Sequence, residues 1–349
     1  MKIAVLCGGI SPERDVSLST GSQVAMALKK KGHSVALIDS AADYPDGFDA
    51  LFTAEARGAG TGIGESAPDI SSLLTRGGYF GKNVVEILKS ADIVFNAMHG
   101  AAGEDGTLQA SLDLMGIKYT GSGAKGCSVS MDKTVTKRML APVKNVRMPR
   151  GIHVMRDEFG LDPQNTLKTV ITEVGLPLVV KPACGGSSVG VSIVNDAAEL
   201  KKAFELSLSY EPKAVVEEFV DGREFSCGVL GDTALPPIEI KPRSGFYDYR
   251  NKYQQGLTEE ICPAHISERA ANEMKLAALT VHRELGLSAY SRTDFRMTSD
   301  GVIYALEANT LPGMTAMSLI PQEAAAVGIG FGELCETIIA ESLKKYDKA

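Results

Sequence analysis

Over the first 120 residues, short apolar runs alternate with stretches of helical spacing. Residues 2–7 (KIAVLC) read as a strand that stops at the pair Gly8-Gly9, and helical periodicity follows from about 17 to 31. Residues 35–38, 93–98 and 118–120 read as further strands, and 107–115 as a helix. Strands and helices in alternation imply a parallel sheet with crossover helices, an α/β arrangement. Residues 41–82 show no clear period. Gly58, Gly60, Gly62 and Gly64 make part of this stretch loop-like, and a weak helix follows Lys82.

The pattern changes after Ser130. Helices are expected at 132–140, 165–174 and 197–207, and strands near 147–154, at 178–182, 214–219 and 224–230. The remainder alternates antiparallel-looking strands with two strong helices at 267–285 and 330–345. No repeat or low-complexity tract is present. The expected division is three regions: 1–121 as an open parallel α/β unit, then 122–220 and 221–349 with α+β character.

Composition narrows the function classes. A chain of 349 residues is long enough for two or three domains. A net charge of −7 argues against nucleic acid or an anionic membrane as partner, because either needs a basic face. Cys7, Cys127, Cys184, Cys227, Cys262 and Cys335 stand singly, without CxxC pairs, which fits a reducing cytosol better than a disulfide framework. The first apolar run is short and meets Glu13, Arg14 and Asp15 at once, so it reads as a buried strand and not a secretory signal. No apolar run reaches membrane-spanning length. The expectation is a cytoplasmic protein.

Several motifs carry possible chemistry. Gly121, Gly123 and Gly126 match G-x-G-x-x-G, but no acidic residue follows at the distance a dinucleotide site requires, so a domain-linking turn is expected. The segment VVKPACGGSSVG is stronger. A strand delivers Lys181, and a glycine-rich loop with Ser187 and Ser188 then offers amides and hydroxyls to a phosphate. An ordinary strand-to-loop turn would look the same. Lys133, at a helix start, is a second candidate cation. Glu217, Glu218 and Glu224 flank a V-D-G turn, where they are either solvated or hold ribose hydroxyls.

Arg292 and Asp294 share one face of a strand, and Glu307 and Asn309 share one face of the next. The turn Ser299-Asp300-Gly301 should pair the two strands. Pairing would gather Asp294, Glu307 and Asn309 as oxygen donors for Mg²⁺ and polyphosphate, beside the fixed cation Arg292. Glu13 sits between a glycine-rich turn and a helix start, where helix capping is the plainer explanation. His99 directly follows a strand's C-terminal end, where open α/β sheets bind ligands.

Taken together, these motifs resemble the D-alanine–D-alanine ligase family of the ATP-grasp superfamily. The likeness runs from GGISPERDVSLSTG through MHGAAGEDGTLQASLDLMGIKYTGSG, SMDK, KPACGGSSVG, FYDYRNKY, ICPA and SRTDF to LEANTLPGMTAMSLIP. It implies a two-lobed ATP-grasp fold after the N-terminal sheet, and ligation of two D-alanines through an acyl phosphate at the expense of ATP. It also implies two Mg²⁺ ions, with Mn²⁺ as a substitute, on Asp294, Glu307 and Asn309, and a homodimer. By resemblance, Lys133, Lys181 and Ser188 would hold phosphates, with Glu217, Glu218, Val220 and Glu224 around adenine and ribose. Glu13 and His99 would belong to the first D-alanine, and Ser318 and Leu319 to the carboxylate of the second. Arg292 and the Gly313 amide would stabilise the tetrahedral intermediate. Residues 246–253 match a closing loop, with Lys252 reaching the γ-phosphate and Tyr253 contacting Ser187. The Lys252-Tyr253 pair matches the dipeptide-forming version of this loop and argues against the depsipeptide D-alanyl-D-lactate. The remaining alternatives are another ATP-grasp carboxylate–amine ligase and an inactive nucleotide-binding or regulatory protein, the latter opposed by a charged set with every expected position filled. Cys184 and Gly185 depart from the family pattern, standing where many relatives carry Arg or Glu.

Overall fold

The computed structural model describes residues 1–53, 68–75, 77–186, 188–243 and 256–347. The first sheet is parallel, with β1 (Lys2–Cys7) between β2 (Ser34–Asp39) and β3 (Ile93–Asn96). Its strands are buried along most of their length, as a parallel sheet covered on both faces requires. Helix Arg14–Lys30 crosses over from β1 to β2. The strand expected at 118–120 shrinks to a single bridge between Val94 and Tyr119, because Gly116 and Gly121 leave it too little chain. Between 41 and 82, the short helices Ala50–Thr53 and Ser71–Leu74 are formed.

The glycines at 121–126 do more than link domains, which corrects the expectation of a turn. Gly123 is the N-cap of helix Ala124–Met131, and Gly126 lies inside it. A Cβ at Gly126 would stand 2.9 Å from the Gly286 carbonyl, so the glycine lets this helix pack against that backbone. The helix has small residues and no apolar period, which is why the pattern hid it.

Two antiparallel sheets follow. One orders its strands β4 (Gly151–Met155), β7 (Lys213–Glu218), β5 (Leu178–Pro182) and β6 (Ser192–Val194). Its core holds Val170, Val180, Phe204 and Val216, shared with helices Pro163–Glu173 and Ala197–Tyr210. β4 starts at Gly151, later than expected, after Pro149, which has no N–H to give a ladder.

The larger sheet contains β8 (Arg223–Leu230), β9 (Thr233–Ala234), β10 (Ile238–Pro242), β11 (Thr258–Ile261), β12 (Tyr290–Met297) and β13 (Ile303–Asn309). Its order is β11-β10-β8-β12-β13, with β9 on β8. Helix Glu268–Glu284 covers it through Met274 and Val281, against Phe225 and Phe295. The chain passes from the smaller sheet to the larger at Gly222, where φ is +149° and a Cβ would lie 2.1 Å from the Met297 carbonyl oxygen. The two sheets thereby stand on either side of a cleft. The core around β1–β3 continues into Leu230, Tyr290, Ile320 and Ile338 from the rest of the chain. Among the described residues, no helix is long and apolar enough to cross a membrane.

Candidate active site

The cleft, open to solvent on one side, spans about 1040 Å³ of empty space and is lined from both antiparallel sheets. Apolar walls come from Val179, Ile193, Phe219, Val220 and Leu306, and the glycine-rich loop closes one side with Gly185, Gly186 and Ser188. Ser188 adopts φ +59°, a left-handed conformation in a short polar loop.

Lys133 begins helix Lys133–Leu140, which Asp132 caps by accepting from the amides of Thr134 and Val135. Its Nζ donates to the Gly185 carbonyl at 2.7 Å and lies 3.4 Å from Glu307 Oε2. It therefore ties the glycine-rich loop to the acidic strand β13. Lys181, near the end of β5, pairs with Glu217 Oε2 at 2.6 Å. Glu217 is buried, and its other oxygen meets Lys137 at 2.7 Å. Burial alone would raise the Glu217 carboxyl, but the charges of Lys181 and Lys137 outweigh it and hold the group below its ordinary range. Glu218 accepts from the Arg150 amide at 2.8 Å and from its guanidinium at 3.0 Å.

Register explains the acidic end of the cleft. Asp294 on β12 pairs with Glu307 on β13, and Arg292 pairs with Asn309. On the other side of β12, Arg292, Asp294 and Arg296 face Gly228, Ser226 and Glu224 of β8. Arg292 donates to both oxygens of Asp294, at 2.8 and 2.9 Å. Asp294 also accepts from Ser226 Oγ at 2.7 Å and from Asn309 Nδ2 at 3.0 Å. The sequence-predicted set Arg292, Asp294, Glu307 and Asn309 is thus brought together. Arg296, which the sequence reading passed over, donates to Glu224 at 3.2 Å and to the Val220 carbonyl at 3.2 Å. Its position two residues beyond Asp294 was the available signal.

Asp294, Glu307 and Asn309 offer two carboxylates and an amide oxygen. That donor set suits Mg²⁺, which takes few protein oxygens and completes its shell with phosphate and water. Among the described residues, no three His, Cys, Asp or Glu side chains form a self-sufficient metal cage. Two carboxylates and one amide oxygen would fit such an ion only together with oxygens from a bound ligand and water.

A second group of residues lies at the C-terminal edge of the parallel sheet. Ser11 Oγ donates to the His99 carbonyl at 2.8 Å and accepts from the Glu13 amide at 3.1 Å. A Cβ at Gly100 would come within 3.0 Å of Glu13 Oε2, so Glu13 and the loop of His99 are adjacent. The His99 ring is buried, with Nε2 3.1 Å from Thr20 Oγ1 and Nδ1 3.4 Å from Glu104. Arg14 braces the loop by bonding Asp39 and the Gly9 carbonyl.

Gly313 and Ser318 also approach each other, since a Cβ on the glycine would lie 2.9 Å from Ser318 Oγ. Ser318 Oγ accepts from the Thr315 amide at 3.0 Å. Leu319 turns its side chain into a small core with Ile238 and Ile240, leaving only its backbone for a ligand. Gln23, on the helix that follows Glu13, accepts from the Ala316 amide at 2.8 Å and joins the two groups. Ser187, Lys252, Tyr253 and the loop 246–253 lie outside the described residues.

Comparison with known proteins gives one answer along the chain. Family models described as D-ala D-ala ligase N-terminus and C-terminus match residues 2–122 and 144–340. The D-alanine–D-alanine ligase of Pediococcus pentosaceus is 42% identical over 358 residues, covering 100% of this chain and 99% of its own. Among solved structures, the D-alanine–D-alanine ligase of Bacillus anthracis complexed with ATP is 29% identical, with a TM-score of 0.76 and coverage of 100% and 99%. The VanG D-Ala:D-Ser ligase of Enterococcus faecalis is 28% identical, with a TM-score of 0.76 and coverage of 98% and 99%. From the loop after β1 that carries Glu13 to the paired strands that carry Asp294 and Glu307, the chain belongs to the D-alanine–D-alanine ligase family.

Proposed function

We propose that the chain condenses two D-alanines to D-alanyl-D-alanine, converting ATP to ADP and phosphate and supplying the dipeptide for peptidoglycan precursors. The observation that carries this reading is the cation–carboxylate mouth of the cleft, where Lys133, Arg292, Asp294, Glu307 and Asn309 converge. In the proposed division, 1–121 binds the first D-alanine, 122–220 covers the nucleotide, and 221–349 supplies metal and second-substrate contacts. The protein is proposed to act in the cytoplasm as a homodimer.

A carboxylate is a poor electrophile, so it is first activated. An oxygen of the first D-alanine's carboxylate attacks the γ-phosphorus, ADP leaves, and an acyl phosphate forms. Lys133, Lys181 and Lys252 would neutralise the phosphates, with Ser188 and the glycine-rich loop donating from below. Glu217, Glu218, Val220 and Glu224 would surround the nucleoside. Asp294, Glu307 and Asn309 would hold two Mg²⁺ ions, which supply charge neutralisation to the polyphosphate. The amine of the second D-alanine then attacks the acyl carbon, phosphate leaves with the C–O bond electrons, and the proton lost from the nitrogen goes with the phosphate. Arg292 and the Gly313 amide would hold the oxyanion of the tetrahedral intermediate. Glu13 would face the first ammonium, with His99 shaping its surroundings, and Ser318 with the Leu319 amide would meet the second carboxylate. Ser187 and Tyr253 are assigned to closing the site, which excludes water from the acyl phosphate.

The test is ATP-dependent phosphate release with D-alanine alone and with D-alanine plus D-lactate or D-serine, products being identified by mass. Phosphate matched by D-alanyl-D-alanine supports the proposal. A mixed product as the main species at neutral pH, or no turnover, overturns it.

A further inference from the structure

Behind the base of the cleft lies a lysine, Lys137, that the reaction scheme above does not use. Lys137 lies one helical turn after Lys133, yet it stands behind the cleft wall and does not line it. Its Nζ makes two short contacts, to the Pro149 carbonyl at 2.6 Å and to Glu217 Oε1 at 2.7 Å. Pro149 and Glu217 both line the cleft. Lys137 therefore fixes, from behind, two groups that a bound nucleotide would face. Glu217 cannot rotate away, because its second oxygen is held by Lys181 at 2.6 Å and its side chain is only 4% exposed.

The surroundings show which part of a nucleotide this end suits. Apart from Lys181, which reaches Glu217 from β5, the phosphate-binding features gather at the glycine-rich loop, Lys133 and Glu307. The wall beside Glu217 is instead apolar, with Val179, Phe219, Val220 and Leu306 forming a slot for a flat ring. A buried carboxylate with lysines on both oxygens keeps lone pairs for further acceptance and has no proton to give.

We infer that Lys137 is a positioning residue for nucleobase selection: it fixes Glu217 as an acceptor at the end of the slot, favouring a 6-amino purine over a 6-oxo purine. The inference rests on the ATP-dependent reading of this cleft. A 6-amino group donates toward Glu217. A 6-oxo group sets a carbonyl oxygen against a carboxylate in a low-dielectric pocket, and neither can donate. Without Lys137, one Glu217 oxygen loses its partner, the carboxylate is free to turn or to take a proton, and discrimination weakens.

The test uses the full chain with ATP and ITP, which differ at the purine 6-position, and with ADP and IDP for binding by calorimetry. The wild type should prefer ADP over IDP by about tenfold or more, one lost or opposed buried hydrogen bond being worth that ratio. Lys137→Gln should raise KM for ATP, leave KM for D-alanine within about twofold, and shrink the ATP/ITP ratio of kcat/KM by about tenfold. Lys137→Arg, which keeps the charge, should restore most of the ratio. An unchanged ratio in Lys137→Gln, or no preference in the wild type, overturns the inference. Should Lys137→Gln not fold, the decision passes to the Lys137→Arg protein and wild-type binding, where equal ADP and IDP affinities in the wild type are again fatal. Selective ADP binding without dipeptide formation would sink the ligase reading and leave this inference standing.

Discussion

Arg292 grips Asp294 through both carboxylate oxygens, from two positions along the same strand. The cation assigned to the oxyanion and a carboxylate assigned to the metal are therefore held as one planar unit. An ammonium cannot reproduce that fork. Arg292→Lys is expected to lower kcat about 100-fold or more while KM for ATP changes little, as removal of an oxyanion donor does. Steady-state phosphate release with saturating D-alanine checks this, and a pure KM effect would reassign Arg292 to substrate binding.

Asp294 and Glu307 are register partners, so losing one leaves the other as the sole carboxylate donor at that level of the hairpin. Glu307→Gln keeps the shape and removes the charge. The Mg²⁺ concentration for half-maximal phosphate release is expected to rise about tenfold or more. EDTA should abolish activity in the wild type, and added Mg²⁺ or Mn²⁺ should restore it. An unaltered Mg²⁺ titration in the variant would remove Glu307 from the metal site.

The hairpin was legible because two local rules agree. Ser299-Asp300-Gly301 sets a turn between the strands, and a period of two then puts Arg292 and Asp294 opposite Asn309 and Glu307. The parallel sheet was legible through short apolar runs, the first stopped by Gly8-Gly9, that alternate with helical spacing. Lys137 was not legible, because its partner Glu217 is 80 residues away in sequence. Its spacing of four from Lys133 was the signal at hand, since it puts both lysines on one helix face. The helix Ala124–Met131 escaped because it packs by smallness, through Gly126, instead of by an apolar stripe. Local pattern reads what each element does to its own neighbours. It does not read pairs that only the folded chain brings together.

Gly228 tests how tightly the second-substrate segment is fitted to the sheet. It is the β8 partner of Arg292, and a Cβ there would lie 2.3 Å from Glu323 Oε2 and 2.4 Å from Ile320 Cδ1. Both belong to helix Leu319–Ala325, which directly follows Ser318. Glu323 is fully buried, and burial drives its carboxyl well above the ordinary range against the pull of Arg292. It has little room to move. Gly228→Ala is expected to cost about 1–3 kcal/mol of stability through overpacking. KM for the second D-alanine should rise more than KM for ATP. Thermal unfolding with separate substrate titrations checks both, and a variant of wild-type stability would show that the helix shifts freely.

His282 predicts how stability responds to acid. It is buried on helix Glu268–Glu284, with Nδ1 2.6 Å from Ser291 Oγ. Burial pushes its pKa down from 6.5 to about 4, against a weaker opposing pull from Asp232. Between pH 6.5 and 4 the unfolded chain therefore binds a proton that the folded chain refuses. By linkage, the contribution of this group is fully present above pH 6.5 and is lost as the pH falls toward 4. The loss amounts to about 2 kcal/mol by pH 5, on the scale of 1.36 kcal/mol per tenfold change in proton affinity. His282→Asn presents an amide to the same hydroxyl and does not titrate in this range. Denaturation at pH 7 and pH 5 should show the wild type losing about 2 kcal/mol more than the variant over that interval. Equal losses in the two proteins would mean that His282 takes its proton inside the fold, with Ser291 accepting from it.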